Sequence, residues 1–420
     1  MGNIKKALVP KLRFDGFGDV WTKKKLGEVI LKLDSGVSVN SVDERVESPE
    51  QFGILKTSCI FFGKFYPDQN KQIVEADITR AKLNPLKGSI LISRMNTPQL
   101  VGHSGFIEND HPNLFVPDRL WMTSIDENCM NSQFLCSILS SDKMMGIISN
   151  IATGTSGSMK NISKPNFLAL EISSPTLPEQ QKIASFLSAV DDKIRQLTRK
   201  KELLEQYKKG VMQQLFSGKL RFKDDKGKAF PEWEEKKLGD VANFRRGSFP
   251  QPYGLAKWFD EINGYPFVQV YDVDDNMRLK TSTKTKISQL AAEQSVFVEE
   301  GTIVITIQGS IGRIAKTQYD CYVDRTLLIF QSYKNPIDID YFKYVVSLLF
   351  EIEKNKAPGG TIKTITKEAL SSFKIMIPAI REQHKIASLL SSTANKIENL
   401  SFQINQTQTF KKGLLQQMFA

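Results

Sequence analysis

Apolar residues follow a 3-4 alternation through two stretches of the chain. Ile183, Leu187, Val190, Ile194, Leu197, Leu204, Val211 and Leu215 make the first, interrupted by Lys201 and Lys208. Ile386, Leu390, Ile397, Leu400, Ile404, Leu414 and Met418 make the second in the same register, with Thr393, Thr407 and Lys411 in the gaps. A seam with a period of about 3.5 residues over roughly five heptads predicts a long helix whose stripe meets another helix. Thr176-Leu177-Pro178-Glu179 fits a capping box at the first start, and Gly218 fits the stop. Ala379 stands where the second copy would need the Thr. Each helix, at 1.5 Å per residue, is a rod of roughly 55–60 Å.

The stretches around these helices read differently, as short runs rich in β-branched and aromatic residues. Strands are predicted at Pro266–Val273, Gly301–Gln308, Arg325–Ser332 and Phe373–Ile377, with a helix over Asp338–Glu353. The earlier part of the chain offers a parallel set: Phe52–Phe62, Gly88–Arg94, Leu120–Asp126, a helix near Asn131–Ile148, then Leu168–Ser173.

That parallel is a repeat. Glu179–Ser217 and Glu382–Ala420 align at a constant offset of 203, with 17 of 39 positions identical, including Lys208-Lys209-Gly210 against Lys411-Lys412-Gly413. Lys11-Leu12-Arg13-Phe14 recurs as Lys219-Leu220-Arg221-Phe222, and Trp21 with Lys24-Lys25-Leu26-Gly27-Glu28-Val29 recurs as Trp233 with Lys236-Lys237-Leu238-Gly239-Asp240-Val241. Weaker echoes pair Gly88–Ile92 with Gly301–Ile305, Asp118-Arg119 with Asp324-Arg325, and Gly157–Lys164 with Gly360–Lys367. A period this long implies two structural units. The expected architecture is α+β: two mixed α/β domains (1–175 and 219–378), each followed by a long helix (176–218 and 379–420). The two helices pair antiparallel as a coiled coil about a pseudo-two-fold. Gly210 and Gly413, at matching places inside the helices, either permit a close approach or mark a bend.

Composition narrows the partner. A net charge of +11 over 420 residues favours a polyanion, and a two-fold chain suits duplex DNA. Cys59, Cys129, Cys136 and Cys321 form no CxxC pair, and only His103, His111 and His384 are present, so neither a structural zinc nor a His metal site is expected. The unpaired cysteines suit free thiols in a reducing cytoplasm, and no apolar run approaches 18 residues, so no membrane span is expected. Catalytic patterns fall short as well. Phe14-Asp15-Gly16-Phe17-Gly18 has the spelling of an S-adenosylmethionine loop but lacks the strand before it and the helix after it, so it reads as a surface turn. Asn84-Pro85-Leu86 and Asn335-Pro336-Ile337 lack the second proline and aromatic residue of an adenine methyltransferase, and no phosphate-binding GxxxxGK[ST] occurs.

The residues that suit DNA sit in loops recurring in both units. Ser158, Lys160, Asn161 and Lys164 in one, and Thr361, Lys363, Thr364 and Lys367 in the other, offer hydroxyls and positive charge to phosphates from glycine-flanked turns. A second set follows the Gly88 and Gly301 strands: Arg94, Asn96 and His103, then Gln308, Ser310 and Arg313. Arg and Gln are the side chains that read guanine and adenine in the major groove. Arg245 and Arg246 are candidate phosphate clamps, whereas Asp118-Arg119 and Asp324-Arg325 read as structural ion pairs.

Units opening on KLRF…W…KKLG[ED]V, and helices opening on EQxKIA and closing on KKGxxQQxF, resemble the specificity subunit of type I restriction–modification systems over essentially the whole chain. Glu179–Ala184 and Glu382–Ala387 carry the likeness most specifically. The resemblance implies two target recognition domains, each reading half of a split, asymmetric DNA site, with the helices fixing the unread gap. It also implies that this non-catalytic chain holds no cofactor itself. Two methyltransferase subunits would bring S-adenosylmethionine, and restriction subunits would bring ATP and Mg. The alternatives are a coiled-coil scaffold without DNA specificity and a self-contained methyltransferase or nuclease.

Overall fold

The computed structural model describes residues 10–154, 159–356 and 367–419. The chain forms two compact units, one of residues 1–198 with 403–420 and one of residues 199–402. Each contains an α+β body, the start of one long helix and the end of the other.

In the first unit a six-stranded sheet runs in the order Ile30–Ser35, Leu120–Ile125, Ile90–Ser93, Ser104–Phe106, Gly63–Phe65, Ile60–Phe61. Its third strand, Ile90-Leu91-Ile92-Ser93, is buried on both faces, as its continuous apolar run requires. Ile90 and Ile92 face a core that holds Trp21, Phe134 and Phe167, while Leu91 faces another with Leu55, Leu120 and Met122. The helix expected near Asn131–Ile148 is two helices, Ser132–Leu139 and Asp142–Ile151, because Ser141 caps the second by accepting from the Met144 N–H.

The second unit has two four-stranded sheets. One runs Ala242–Arg246, Leu327–Tyr333, Ile303–Thr306, Ile314–Lys316, and the other Thr285–Ile287, Tyr265–Val268, Cys321–Val323, Val296–Val298. The strand expected over Pro266–Val273 ends at Val268, and a 3-10 turn, Val270–Asp272, follows. The helix Ile339–Lys356 covers the first sheet through Tyr341, Phe342, Val345 and Val346.

Equivalent hydrogen bonds show the repeat at the level of the backbone. Antiparallel ribbons join Thr22–Lys25 to Glu171–Ser174 and Glu234–Lys237 to Lys374–Ile377. The Leu26 N–H then donates to Leu170, and the Leu238 N–H to Phe373. One sequence match shifts by a residue. Leu120 pairs with Ser93 as Leu327 pairs with Thr306, and the Arg94 N–H donates to Arg119 as the Ile307 N–H donates to Thr326. The structural partner of Arg119 is therefore Thr326, not Arg325.

The long helices span Leu177–Phe216 and Ile380–Met418. In the first unit Ile183, Leu187, Val190 and Ile194 share a core with Leu414 and Met418 of the second helix, which runs antiparallel to them. Ile386, Ala387 and Leu390 share the other unit's core with Leu215 in the same way. Seam polar residues are accommodated: Lys411 reaches Asp191 at 2.7 Å, and the Thr393 hydroxyl donates to Leu389 within its own helix. Gly210 and Gly413 lie within unbroken helix, with open space where a side chain would stand. No helix among the described residues is long and apolar enough to cross a membrane.

Candidate DNA interface

Each body is tied to its long helix by the same residues. Glu179, fully buried, accepts from Arg13 Nε and Nη2, both at 2.7 Å. Glu382, also fully buried, accepts from Arg221 Nε at 3.2 Å and Nη2 at 2.9 Å. The capping box expected of Thr176 and Glu179 is replaced by this ion pair, since a buried carboxylate is better satisfied by a two-pronged guanidinium. The neighbouring glutamines complete the latch. Gln180 Oε1 accepts from the Asn131 N–H at 2.8 Å, and Gln383 Oε1 from the Asp338 N–H at 2.9 Å. Asn131 and Asp338 in turn cap the helices Ser132–Leu139 and Ile339–Lys356 through bonds to Phe134 and Tyr341. The Glu-Gln pair that opens each long helix thus locks a body onto it.

In the first unit the structure brings two candidate sets together. Met95–Asn96 and Lys160–Asn161 form an antiparallel pair with Lys160 opposite Asn96, and the Ile162 N–H donates to Arg94. Arg94 therefore lies between the Arg119 backbone and this ribbon. Its guanidinium stands 6.0 Å from the Trp121 ring centre, and its Nε is buried without a hydrogen-bond partner. Asn161 Oδ1 is likewise buried and unpaired. Asn96 is turned inward, 8% exposed, donating to the Ser93 hydroxyl and accepting from the Thr97 N–H. His103 is 4% exposed, stacked on Phe61, with Nε2 3.1 Å from the Gln99 carbonyl and Nδ1 accepting from the Phe62 N–H. Burial lowers its pKa, so the ring is a neutral packing element. Lys164 is exposed in the first turn of the helix Lys164–Leu168. Ser158 lies outside the described residues.

In the second unit Gln308, Ser310 and Arg313 occupy the hairpin between Ile303–Thr306 and Ile314–Lys316. Gly309 and Gly312 give that turn its left-handed residues, with φ of 68° and 88°. Gln308 and Ser310 are exposed, and Arg313 reaches Asp275 at 3.2 Å. His103 and Arg313 hold equivalent backbone positions, each carbonyl accepting from the strand opposite, at Ser93 and Thr306. Arg245 and Arg246 are exposed on the edge strand Ala242–Arg246. Lys367 opens the helix Lys367–Ser372, while Thr361, Lys363 and Thr364 lie outside the described residues. The expected ion pairs do not form among the described residues. Asp118 accepts from the Ser38 hydroxyl, and Asp324 accepts from the Thr326 N–H and hydroxyl instead of from Arg325.

A further exposed cluster in the second unit was missed at the level of sequence. Gln269 Nε2 donates to the Tyr253 hydroxyl at 2.6 Å, and its Oε1 accepts from the Tyr271 hydroxyl. The Thr285 hydroxyl is 3.2 Å from Gln269 Oε1 and 3.1 Å from the Tyr271 hydroxyl. Arg325 lies over the Tyr253 ring at 5.7 Å and Lys284 over the Tyr271 ring at 5.1 Å. Asp272 builds the turn that carries the cluster, accepting from the backbone N–H groups of Gln269 and Lys284. Burial, then the nearby Asp324, raises the pKa of Tyr253, so its hydroxyl stays protonated. A strand over Pro266–Val273 would carry Gln269 and Tyr271 on one face by alternation alone. The capping bond from Asp272 that turns them outward is invisible to periodicity.

Two similar scaffolds, closed by one latch design and carrying different polar surfaces, define an internally duplicated recognition protein. The sequence matches the type I restriction modification DNA specificity domain over residues 19–206 and again over 231–407, and the chain belongs to that family. It is 25% identical to a protein of Methanocaldococcus jannaschii named as the specificity subunit of the type I restriction enzyme MjaX, covering 98% of this chain and 95% of that one. It is 21% identical to the HindI specificity subunit of Haemophilus influenzae, over 90% and 95%. The S subunit of a type I restriction–modification system from M. genitalium shares the fold with a TM-score of 0.62, at 16% identity over 98% and 99% of the two chains.

Proposed function

We propose that the chain is the DNA-reading subunit of a type I restriction–modification complex. Each unit recognises half of a split, asymmetric duplex site, and the long helices set the number of unread base pairs between the halves. The observation that carries this reading is the domain match falling once on each unit, over scaffolds whose equivalent positions hold different side chains: Arg94 against Ile307, His103 against Arg313. Equivalent frames with unlike surfaces suit two unlike half-sites. In this reading Lys160 and Lys164 of the first unit and the exposed Arg245 and Arg246 of the second are the candidates for phosphate contacts, and Arg94 and the exposed Gln308 and Ser310 are the candidates for base contacts.

The chain positions rather than catalyses. Two methyltransferase subunits bring S-adenosylmethionine and methylate an adenine in each half, and restriction subunits bring ATP and Mg for cleavage in the cytoplasm. Sequencing methylated bases in a genome carrying this chain and its methyltransferase tests the proposal. A single two-part motif with a fixed gap is expected, and it disappears when the chain is deleted. A continuous motif, or one unchanged by the deletion, overturns it.

A further inference from the structure

We propose that Arg94 is a base-reading side chain of the first unit and that it reads guanine. The assignment deepens the function proposed above and rests on it. The repeat supplies an internal control. Arg94 and Ile307 hold equivalent places, each N–H donating to the strand opposite, at Arg119 and at Thr326. Their neighbours correspond too. Trp121 follows Leu120 as Leu328 follows Leu327, and the Leu170 N–H donates to Phe167 as the Phe373 N–H donates to Leu370. In the second unit Ile307, Leu328 and Leu370 are 1%, 3% and 0% exposed and belong to one core. Three aliphatic side chains therefore complete this frame, and its packing needs no cation.

In the first unit the same places hold Arg94, Trp121 and Phe167. The buried Trp121 ring packs on Phe167 at 5.7 Å between centres, and the Arg94 guanidinium lies over that indole at 6.0 Å. Arg94 is half-buried, its Nε enclosed without a bond, and among the described residues no carboxylate pairs with it. Other arginines are spent within the protein: Arg13 on Glu179, Arg221 on Glu382, Arg313 on Asp275. An unbonded buried donor costs stability, and the second unit closes the same frame without one. What Arg94 offers instead is a planar fork of N–H donors with no acceptor. In the major groove guanine alone sets two acceptors, N7 and O6, side by side; adenine and cytosine each present an amino group, and thymine a single oxygen beside a methyl. The backbone of Arg94 is pinned on both sides, its N–H donating to Arg119 and its carbonyl accepting from Ile162. With an immobile indole against the guanidinium, little side-chain freedom is left to lose on binding.

The test uses the full chain in complex with its methyltransferase partner, selecting from a randomised duplex pool at low and at high salt and sequencing what is retained. The wild-type complex yields a split motif with guanine at a position in one half. Arg94→Ile, which installs the residue of the equivalent place in the second unit, is expected to lose that guanine preference by about 5- to 150-fold. The other half and the salt dependence stay as in the wild type, because a base contact releases no phosphate counterion. Arg94→Lys keeps the charge without the fork and weakens the same position by a smaller factor. A uniform loss over all sequences with a flatter salt dependence makes Arg94 a phosphate contact and overturns the assignment. So does a motif that both variants leave intact, one altered in both halves, or a change at a position that is not guanine. Should the Ile variant bind nothing, the Lys variant decides by the same criteria. A wild-type complex that selects no split motif overturns the underlying function instead, and is recognised by failing before any substitution is made.

Discussion

The two latches use the same acid and the same base, yet close differently. Among the described residues Arg13 alone bonds the Glu179 side chain, while Glu382 is shared by Arg221 and the indole N–H of Trp233 at 3.0 Å. Trp21, the repeat partner of Trp233, keeps its indole N–H buried without a bond. Arg221 is also spread over more acceptors, including the Pro231 carbonyl at 2.6 Å and Glu232. A motif retained in both copies therefore states which groups meet, not how many partners each has. The difference implies unequal redundancy. Removing Arg13 leaves a fully buried carboxylate with nothing to hold it, whereas removing Arg221 leaves one that still accepts from Trp233.

Arg13→Ala should be the most damaging of these changes, costing about 3–5 kcal/mol by the usual penalty for breaking a buried pair. Arg221→Ala should cost about 1–3 kcal/mol less, because a hydrogen bond to a charged group persists. Hydrogen exchange in the ribbons Thr22–Lys25 and Glu234–Lys237, followed in parallel, measures each unit separately. Equal losses of protection would show that Trp233 contributes nothing to its latch. Trp233→Phe combined with Arg221→Ala should then bring the second unit down to the level of the first.

A smaller contrast separates the two glutamines. Gln180 Nε2 has the Ser174 hydroxyl, the Pro175 carbonyl and the Cys129 carbonyl as acceptors, whereas Gln383 Nε2 has the Pro378 carbonyl. Gln180→Ala strands more buried polar groups, at about 1–3 kcal/mol for each left unpaired, than Gln383→Ala does. Urea unfolding of the two variants should rank them in that order, and the reverse ranking would break the comparison.

Sequence periodicity revealed the long helices because the seam repeats through many turns, so that single exceptions such as Thr393 do not erase it. The repeat likewise exposed Arg13, Glu179, Arg221 and Glu382 as special, but their meeting spans more than 150 positions and could not be read from spacing. Among candidate site residues, Asn96 and Lys160 lie opposite one another, through a two-residue ribbon too short to announce itself. Asn96 and His103 were chosen for their chemistry, yet they face inward, because the strand and hairpin on either side bury them. Gln269, Tyr253 and Tyr271 went unnoticed since their common surface depends on one side-chain cap, Asp272, inside what reads as a plain strand. Periodicity reports long-range order; it is silent about turns made by a single hydrogen bond.

The weakest contrast lies in the helix seam. Lys411 is neutralised by Asp191, but Ala394 holds the position equivalent to Asp191, and Lys208, the counterpart of Lys411, instead lies 5.5 Å from the Tyr344 ring centre. Burial, then repulsion from Lys343, lowers the pKa of Lys208 below the ordinary lysine value. In the folded state its proton is held more weakly than in the unfolded state. Its charge therefore opposes folding at neutral pH, and that opposition fades as pH rises through the lowered value toward about 10.5. Lys208→Met should accordingly be neutral or stabilising at pH 7 and should remove part of the alkaline rise in stability. Lys411→Met, which leaves Asp191 with Lys64 at 3.4 Å as its remaining cation, should destabilise. Melting temperatures of the two variants at pH 7 and pH 10 check both signs, and a Lys208→Met protein less stable than the parent at pH 7 would mean that the cation–ring contact outweighs desolvation.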